Sequence, residues 1–410
     1  MNEGTLAATA RQRLGAVSLL LAMVLLGVFP LDVLLPSFPA LAEHFRRTPT
    51  DIALSISVFA VGIAFAQLLI GPLSDVIGRK GLLLAGMAVS ILGAVGCLLS
   101  RDYSWFLAFR VVQAVGCGCF VLSQALVQDL FDGEERDRLR ILMVTASGIF
   151  ISVSPLAGTL LQATFGWRAS FWAFAALASA VMVKAWLFLQ RGRPAATGKP
   201  AHFLMAYRRV LVDFDFIGYW LISAFAFACH FSFIVISPLI FMDRLQLSAY
   251  DFSLILLAYG AAYLVGGIVA TVLSRRITPA RQIVSGLGLI LLAGLAMLGL
   301  SSVFALTPTT VLVPMLICTA GTTIVRPAAT SRAMDLYPEH AGTSASAGSA
   351  LVFICGGLIS ALISLSPADL QSTLGYSFMF LGGVALALNA RISRHATDAR
   401  RGAFAQPGSD

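Results

Sequence analysis

Apolar residues run in blocks of about 20 along almost the whole chain, separated by short polar punctuation. As a helix, one such block rises ~1.5 Å per residue and crosses ~30 Å of hydrocarbon. Twelve blocks fall near 14–37, 52–72, 81–100, 104–127, 141–164, 168–190, 216–240, 249–273, 282–302, 308–332, 343–366 and 372–392, numbered here spans 1 to 12. The pattern predicts an all-α membrane protein. Most connections are short, so successive spans return antiparallel to one another. The largest polar interruption, Gln190 to Asp215, divides the spans six and six. The predicted organisation is an N-terminal six-helix bundle over 1–190, a cytoplasmic linker over 191–215, a C-terminal six-helix bundle over 216–392 and a cytoplasmic tail over 393–410. The first block continues past Pro30 and Pro36 with no small-residue cleavage site, which predicts a retained span rather than a removable signal peptide.

Composition agrees with this reading and narrows it. Hydrophobic residues make up 58% of the chain and charged residues 12%, too few charges to cover a water-soluble core of this length. A net charge of +8 points toward nucleic acid only if the charges cluster. With both termini in the cytoplasm, about 20 Lys and Arg fall on the cytoplasmic side and about 5 on the other, which is the bias that orients membrane helices. All six cysteines lie inside predicted spans, so no disulfide framework is expected. Cys117 and Cys119 have no His or further Cys near them in sequence to complete a metal site, and no metal or cofactor is expected.

Ionisable groups inside hydrocarbon cost roughly 2.5 to 3.5 kcal/mol on insertion scales, so each is a functional candidate. Asp32 in span 1 is the carboxylate well inside a span; Arg110 stands in span 4, His230 in the middle of span 7 and Arg326 in span 10. Counting helical rise, Asp32 and Arg110 both lie about 9 Å below the outer boundary. If spans 1, 4, 7 and 10 face one cavity, the four groups form a polar column in it. Competition between burial and a neighbouring cation can set proton release from Asp32 within the physiological range. Arg110 stays charged; it can displace the proton of Asp32 or hold a substrate oxygen. Tyr259 and Tyr263, one turn apart in span 8, are further candidates for lining a pocket.

Several motifs carry a resemblance. Gly71 to Lys80 reads Gly-x-Leu-x-Asp-x-x-Gly-Arg-Lys, and its Pro, Gly and Ser predict a helix break and a tight charged turn between spans 2 and 3. Arg110-x-x-Gln113-x-x-Gly116 stands in span 4, and Gly148 to Thr159 in span 5 ends Ser-Pro-Leu-Ala-Gly-Thr. The chain thereby resembles the major facilitator superfamily of transporters. Asp32-x-x-x-Pro36-x-x-Pro39, Gly166-Trp-Arg168, and Pro327 to Ala333 followed by Tyr337 to Ala347 are similar to its Bcr/CflA drug-efflux branch. The resemblance implies twelve transmembrane helices in two pseudo-symmetric six-helix bundles. It implies proton coupling and substrate recognition by Asp32 and Arg110, with Gln113 beside them, and conformational roles for Gly71, Asp75, Gly78, Arg79, Pro155 and Gly158. Ser154 and Thr159 stand where the family's antiporter motif has glycines. Leu273 to Arg281, after span 8, echoes the Gly71 motif by position.

The expectation is a proton-coupled exporter of a small organic compound in a bacterial inner membrane, acting as a monomer, with protons, lipid and a small molecule as partners. Arg110, Arg326 and His230 against Asp32 give the expected cavity a positive balance, favouring a neutral or carboxylate-bearing substrate such as a phenicol antibiotic. Export of an endogenous acidic metabolite or siderophore, or uptake by symport, are the alternatives. Enzyme chemistry is not expected: His-Glu-x-x-His, Gly-x-Ser-x-Gly and the phosphate-binding Gly-x-x-x-x-Gly-Lys are all missing.

Overall fold

The computed structural model describes residues 3–131, 133–189, 207–337 and 341–404. Most of the predicted linker, residues 338–340 of the Tyr337 motif and the last six residues lie outside these. Among the described residues there are helices and turns and no strand. Twelve helical units are long and apolar enough to cross a membrane. In the first half, span 1 comprises helix Glu3–Asp32, a 3-10 turn Leu35–Ser37 and helix Phe38–Phe45. Span 2 is Pro49–Ile77, span 3 Arg79–Leu99, and span 4 joins Tyr103–Cys117 to Leu122–Leu130 through a 3-10 turn. Span 5 is Gly133–Phe165 and span 6 Arg168–Phe188. In the second half, span 7 is Phe214–Pro238 prolonged by a π-helical turn, Leu239–Arg244. Spans 8 to 12 are Ala249–Ser274, Pro279–Val303, Pro308–Leu336, Ala341–Ser364 and Leu370–Phe404.

Short polar side chains start these helices by accepting otherwise orphaned N–H groups. Thr48, Asp102, Asp213, Ser248, Thr278 and Thr307 cap spans 2, 4, 7, 8, 9 and 10, and Thr48 forms a reciprocal capping box with Asp51. Each cap contributes about 1 kcal/mol and fixes where an apolar block begins.

Packing repeats with a period of six spans. Spans 1 and 5, 1 and 6, 2 and 4, 3 and 4, and 3 and 6 pack in the first half; 7 and 11, 7 and 12, 8 and 10, 9 and 10, and 9 and 12 pack in the second. The halves meet along two seams that obey the same rule, span 2 on span 11 and span 8 on span 5. This is the packing of two pseudo-symmetric six-helix bundles.

Three boundaries differ from those predicted. Span 1 does not end at Ser37 but resumes as Phe38–Phe45, which moves Asp32 from near its outer end to near the middle of a span reaching from Arg13 to Phe45. The Gly71 motif does not break the helix at its start, because span 2 stays helical to Ile77. Pro72 has no N–H to offer the carbonyl of Leu68, and the Tyr207 hydroxyl donates to that carbonyl instead at 3.2 Å. The turn is concentrated at Gly78, whose φ of 93° disfavours any residue with a Cβ. Finally, the helix of span 12 runs to Phe404, into the predicted tail.

Candidate functional site

Asp32 is the last residue of the first helix, and its side chain is buried. Here the chain bends: Val33 still donates to Phe29 at 3.1 Å, and the 3-10 turn that follows touches spans 7 and 8 of the other bundle. Ser37 in that turn donates to Gln162 Oε1 of span 5 at 3.0 Å. One turn below Gln162, Gly158 lies against the carbonyl of Val33, so close that a Cβ would collide with it. Asp32 is therefore held by span 5 at the seam between the bundles, within electrostatic reach of Tyr259 in span 8.

Arg110 faces the other way. It is fully buried inside the first bundle, with Nη1 donating to the Pro30 carbonyl at 3.3 Å and to Gln113 Oε1 at 2.8 Å. Its guanidinium lies 3.9 Å from the centroid of Phe59, and Cys97 and Cys117 are close by. Nε and Nη2 have no hydrogen-bond partner. The carbonyl of Pro30 is available because the helix ends two residues later. Asp32 and Arg110, expected at one depth and facing one cavity, form no ion pair; Gln113 accompanies Arg110, not Asp32.

The second bundle gathers the remaining candidates. His230 and Tyr259 are buried, stacked with ring centroids 5.4 Å apart, and the Tyr259 hydroxyl bonds His230 Nδ1. Tyr263 lies 5.2 Å from the same imidazole. Arg326 is half-buried, its guanidinium 4.8 Å from the centroid of Phe227, and it stands within electrostatic reach of His230. His230, Tyr259, Tyr263 and Arg326 thus form one cluster from spans 7, 8 and 10, which Asp32 approaches from span 1 and Arg110 does not join. Phe227 was not singled out in the sequence, where nothing separates it from the other phenylalanines of span 7.

The conformational motifs occupy the seams. On the side where the two termini lie, Gly71 abuts Ser346 of span 11, and Ser349 donates to Gln67 Oε1 at 2.7 Å. Arg79 opens span 3 beside Gly78; the side chain of Asp75 lies outside what the structure describes. On the opposite side, Ser57 and Ser360 join spans 2 and 11 at 2.8 Å. In the other seam, the Thr159 and Ser253 hydroxyls bond each other, with the Ala249 carbonyl 3.2 Å from Thr159 and the Pro155 carbonyl 3.3 Å from Ser253 as alternative acceptors. Thr159, one of the two departures from the glycine pattern, is thus a polar tie between bundles. Its partner Ser253 gave no signal in the sequence.

Thr159→Val keeps the shape and removes the hydroxyl. At about 0.5–1.5 kcal/mol for a net hydrogen bond, the population with these ends separated is expected to rise up to about tenfold. Spin-label distances between spans 5 and 8 on the side away from the termini measure it; an unchanged distribution would show that the tie holds nothing.

Among the described residues no group of His, Cys, Asp and Glu has the arrangement of a metal site, and all six cysteines are free.

A family model described as Major Facilitator Superfamily matches residues 17–362. Curated relatives include Multidrug resistance protein MdtL from Escherichia fergusonii, 29% identical over 226 residues. The proteins of the same name from Shigella flexneri serotype 5b and Escherichia coli K12 match equally well. These alignments cover 54% of this chain and 57% of the relatives, so the chain spans little more than half the length of the curated relatives it matches. Among solved structures, a bacterial homologue of the human lysosomal transporter Spinster, in an inward-facing and unoccupied conformation, superposes with a TM-score of 0.70. It is 17% identical, and the match covers 93% of this chain and 97% of that one.

Proposed function

Because the chain belongs to the Major Facilitator Superfamily and is a multi-pass membrane protein of twelve spans, we propose that it exports a small organic compound from the cytoplasm in exchange for protons. The observation that carries this reading is Asp32: a buried carboxylate without an ion pair, placed where span 1 bends and between two bundles that must move against each other. A group whose charge can change at that seam can bias which side the bundles open to. The MdtL relatives are named for multidrug resistance, which supports a drug-like cargo such as a phenicol antibiotic.

In this reading both termini are cytoplasmic, in a bacterial inner membrane, as the Lys and Arg bias favours. Asp32 is ionised when cargo enters from the cytoplasm. The bundles rock about the site while the seams of spans 2 with 11 and 5 with 8 open at one end and close at the other. A proton arriving from outside neutralises Asp32 and favours release. Each charge moved inward contributes about 2.3 kcal/mol per 100 mV of membrane potential. Arg110 acts from inside the first bundle, through the Pro30 carbonyl, on the end of the helix that carries Asp32. The Gly78 turn, Gly71, Arg79 and the Pro155–Gly158 segment set the relative stability of the two openings. The protein works as a monomer.

Inverted vesicles containing the protein should accumulate a chloramphenicol-class antibiotic on energisation and lose it when a protonophore is added. Accumulation that survives collapse of the proton gradient, or that runs only in right-side-out vesicles, would overturn the assignment.

A further inference from the structure

Resting on the transport reading above, we propose that the cluster of spans 7, 8 and 10 selects an aromatic carboxylate, with Arg326 holding the carboxyl group and the Phe227 wall the ring. Arg326 makes no hydrogen bond and no ion pair among the described residues, and its Nε is buried without a partner. The Tyr259 hydroxyl and His230 Nδ1 are hydrogen-bonded to each other. The cluster therefore presents a guanidinium with no acceptor among the described residues to receive it.

The rest of the bundle supplies none. Among the residues whose side chains are described, the acidic ones of the second half stand at the ends of its spans: Asp213, Asp215 and Asp335 on the terminus side, Asp243, Asp251 and Asp369 on the other. In the interior, two guanidiniums, Arg110 and Arg326, stand against one carboxyl group, Asp32, which pairs with neither. A bound monoanion balances the charge and accepts the free donors, and charge-assisted bonds to a guanidinium are the strong ones.

The ring preference comes from what surrounds Arg326. Phe227 stacks on Phe231 with centroids 5.2 Å apart and an interplanar angle of 17°, and meets Phe353 edge-on at 5.4 Å. Phe227, Phe353, Tyr263 and Arg326 each keep part of their surface open. Span 7, which carries Phe227, is the most buried of the twelve, so the part of that ring left open beside the Arg326 guanidinium faces other spans rather than lipid. A planar ring can lie against Phe227 and Tyr263 while its carboxylate reaches Arg326.

Matched acid and amide probes isolate the charge. Equilibrium dialysis of the full-length protein in detergent, with no ion gradient, would use radiolabelled salicylate against salicylamide and 1-naphthoate against 1-naphthamide. The acids are expected to bind at least about tenfold more tightly than their amides, the size of one charge-assisted hydrogen bond. Arg326→Gln should bring the ratio to about one, and Arg326→Lys should leave it between the two. Tyr263→Ala, which removes the ring, should weaken acid and amide alike, and it serves as the second variant should Arg326→Gln not fold. Failure of the wild type to bind either acid, an acid-to-amide ratio near one, or a ratio unchanged in a folded Arg326 variant overturns the inference. Since binding is read without a gradient, its loss leaves proton-driven export standing. Conversely, selective acid binding by a protein that shows no gradient-driven flux would sink the export reading alone.

Discussion

Asp32→Asn is expected to abolish proton-driven export while leaving the protein folded and able to exchange cargo across the membrane without a gradient. Asparagine has nearly the shape of the carboxyl group and can hydrogen-bond, so the contacts that hold this end of span 1 survive: the Gly158 approach to Val33 and the Ser37 bond to Gln162. What disappears is the change of charge. A carrier that depends on that change to move from a 1:99 to a 99:1 population of its two openings uses about 5.5 kcal/mol of bias. Without it, uphill flux should fall about 100-fold, to the level seen with the gradient collapsed. The measurement is a pair of assays on the same vesicles, accumulation driven by a pH step and counterflow of labelled against unlabelled cargo. Retained counterflow with lost accumulation is the predicted pattern. A variant that still accumulates cargo on a pH step would remove Asp32 from the coupling step.

Arg110→Met is expected to make the protein more stable and less active. Arg110 is fully buried with no ion pair, and two of its nitrogens have no partner. Desolvating such a cation costs several kcal/mol, incompletely offset by a 3.3 Å bond to Pro30, a 2.8 Å bond to Gln113 and the face of Phe59. Methionine fills a similar volume without charge; the loss of the donor to Gln113 costs about 1–3 kcal/mol in return. The balance favours the variant by about 1–4 kcal/mol, the range for buried ion pairs replaced by apolar residues, and Arg110 lacks even a carboxylate partner to offset its desolvation. The thermal aggregation midpoint in detergent should rise, and gradient-driven export should drop at least about tenfold, because the hydrogen bond from span 4 to the Pro30 carbonyl, beside Asp32, is then lost. A fall in the midpoint would instead make Arg110 a structural tie.

These two residues also show what the sequence made legible. The apolar blocks are long enough to name all twelve spans, because a helix advances a fixed distance per residue, but the depth counted for Asp32 failed because span 1 runs on to Phe45. Rotation about each axis could not be counted, so Asp32 and Arg110 appeared to share a cavity when one points across the seam and the other into its own bundle. The cluster of His230, Tyr259, Tyr263 and Arg326 was present residue by residue, but its cohesion depends on three spans meeting, and local spacing says nothing of that. Boundaries failed where a remote group repaired a local defect. Pro72 reads as a helix breaker until Tyr207, far along the chain, satisfies the carbonyl it leaves open. Conversely, Pro36 and Pro39 look like the end of span 1, yet proline is accepted in the first turn of a helix, and a new one starts at Phe38.

The contact between Gly158 and the Val33 carbonyl has a mechanical consequence. Two backbones touching with no side chain between them leave no slack, so lengthwise slip of one rod must drag the other. The joint beside the carboxylate is thereby geared to the stroke of span 5, with a ratio set by peptide geometry and not by the compliance of rotamers.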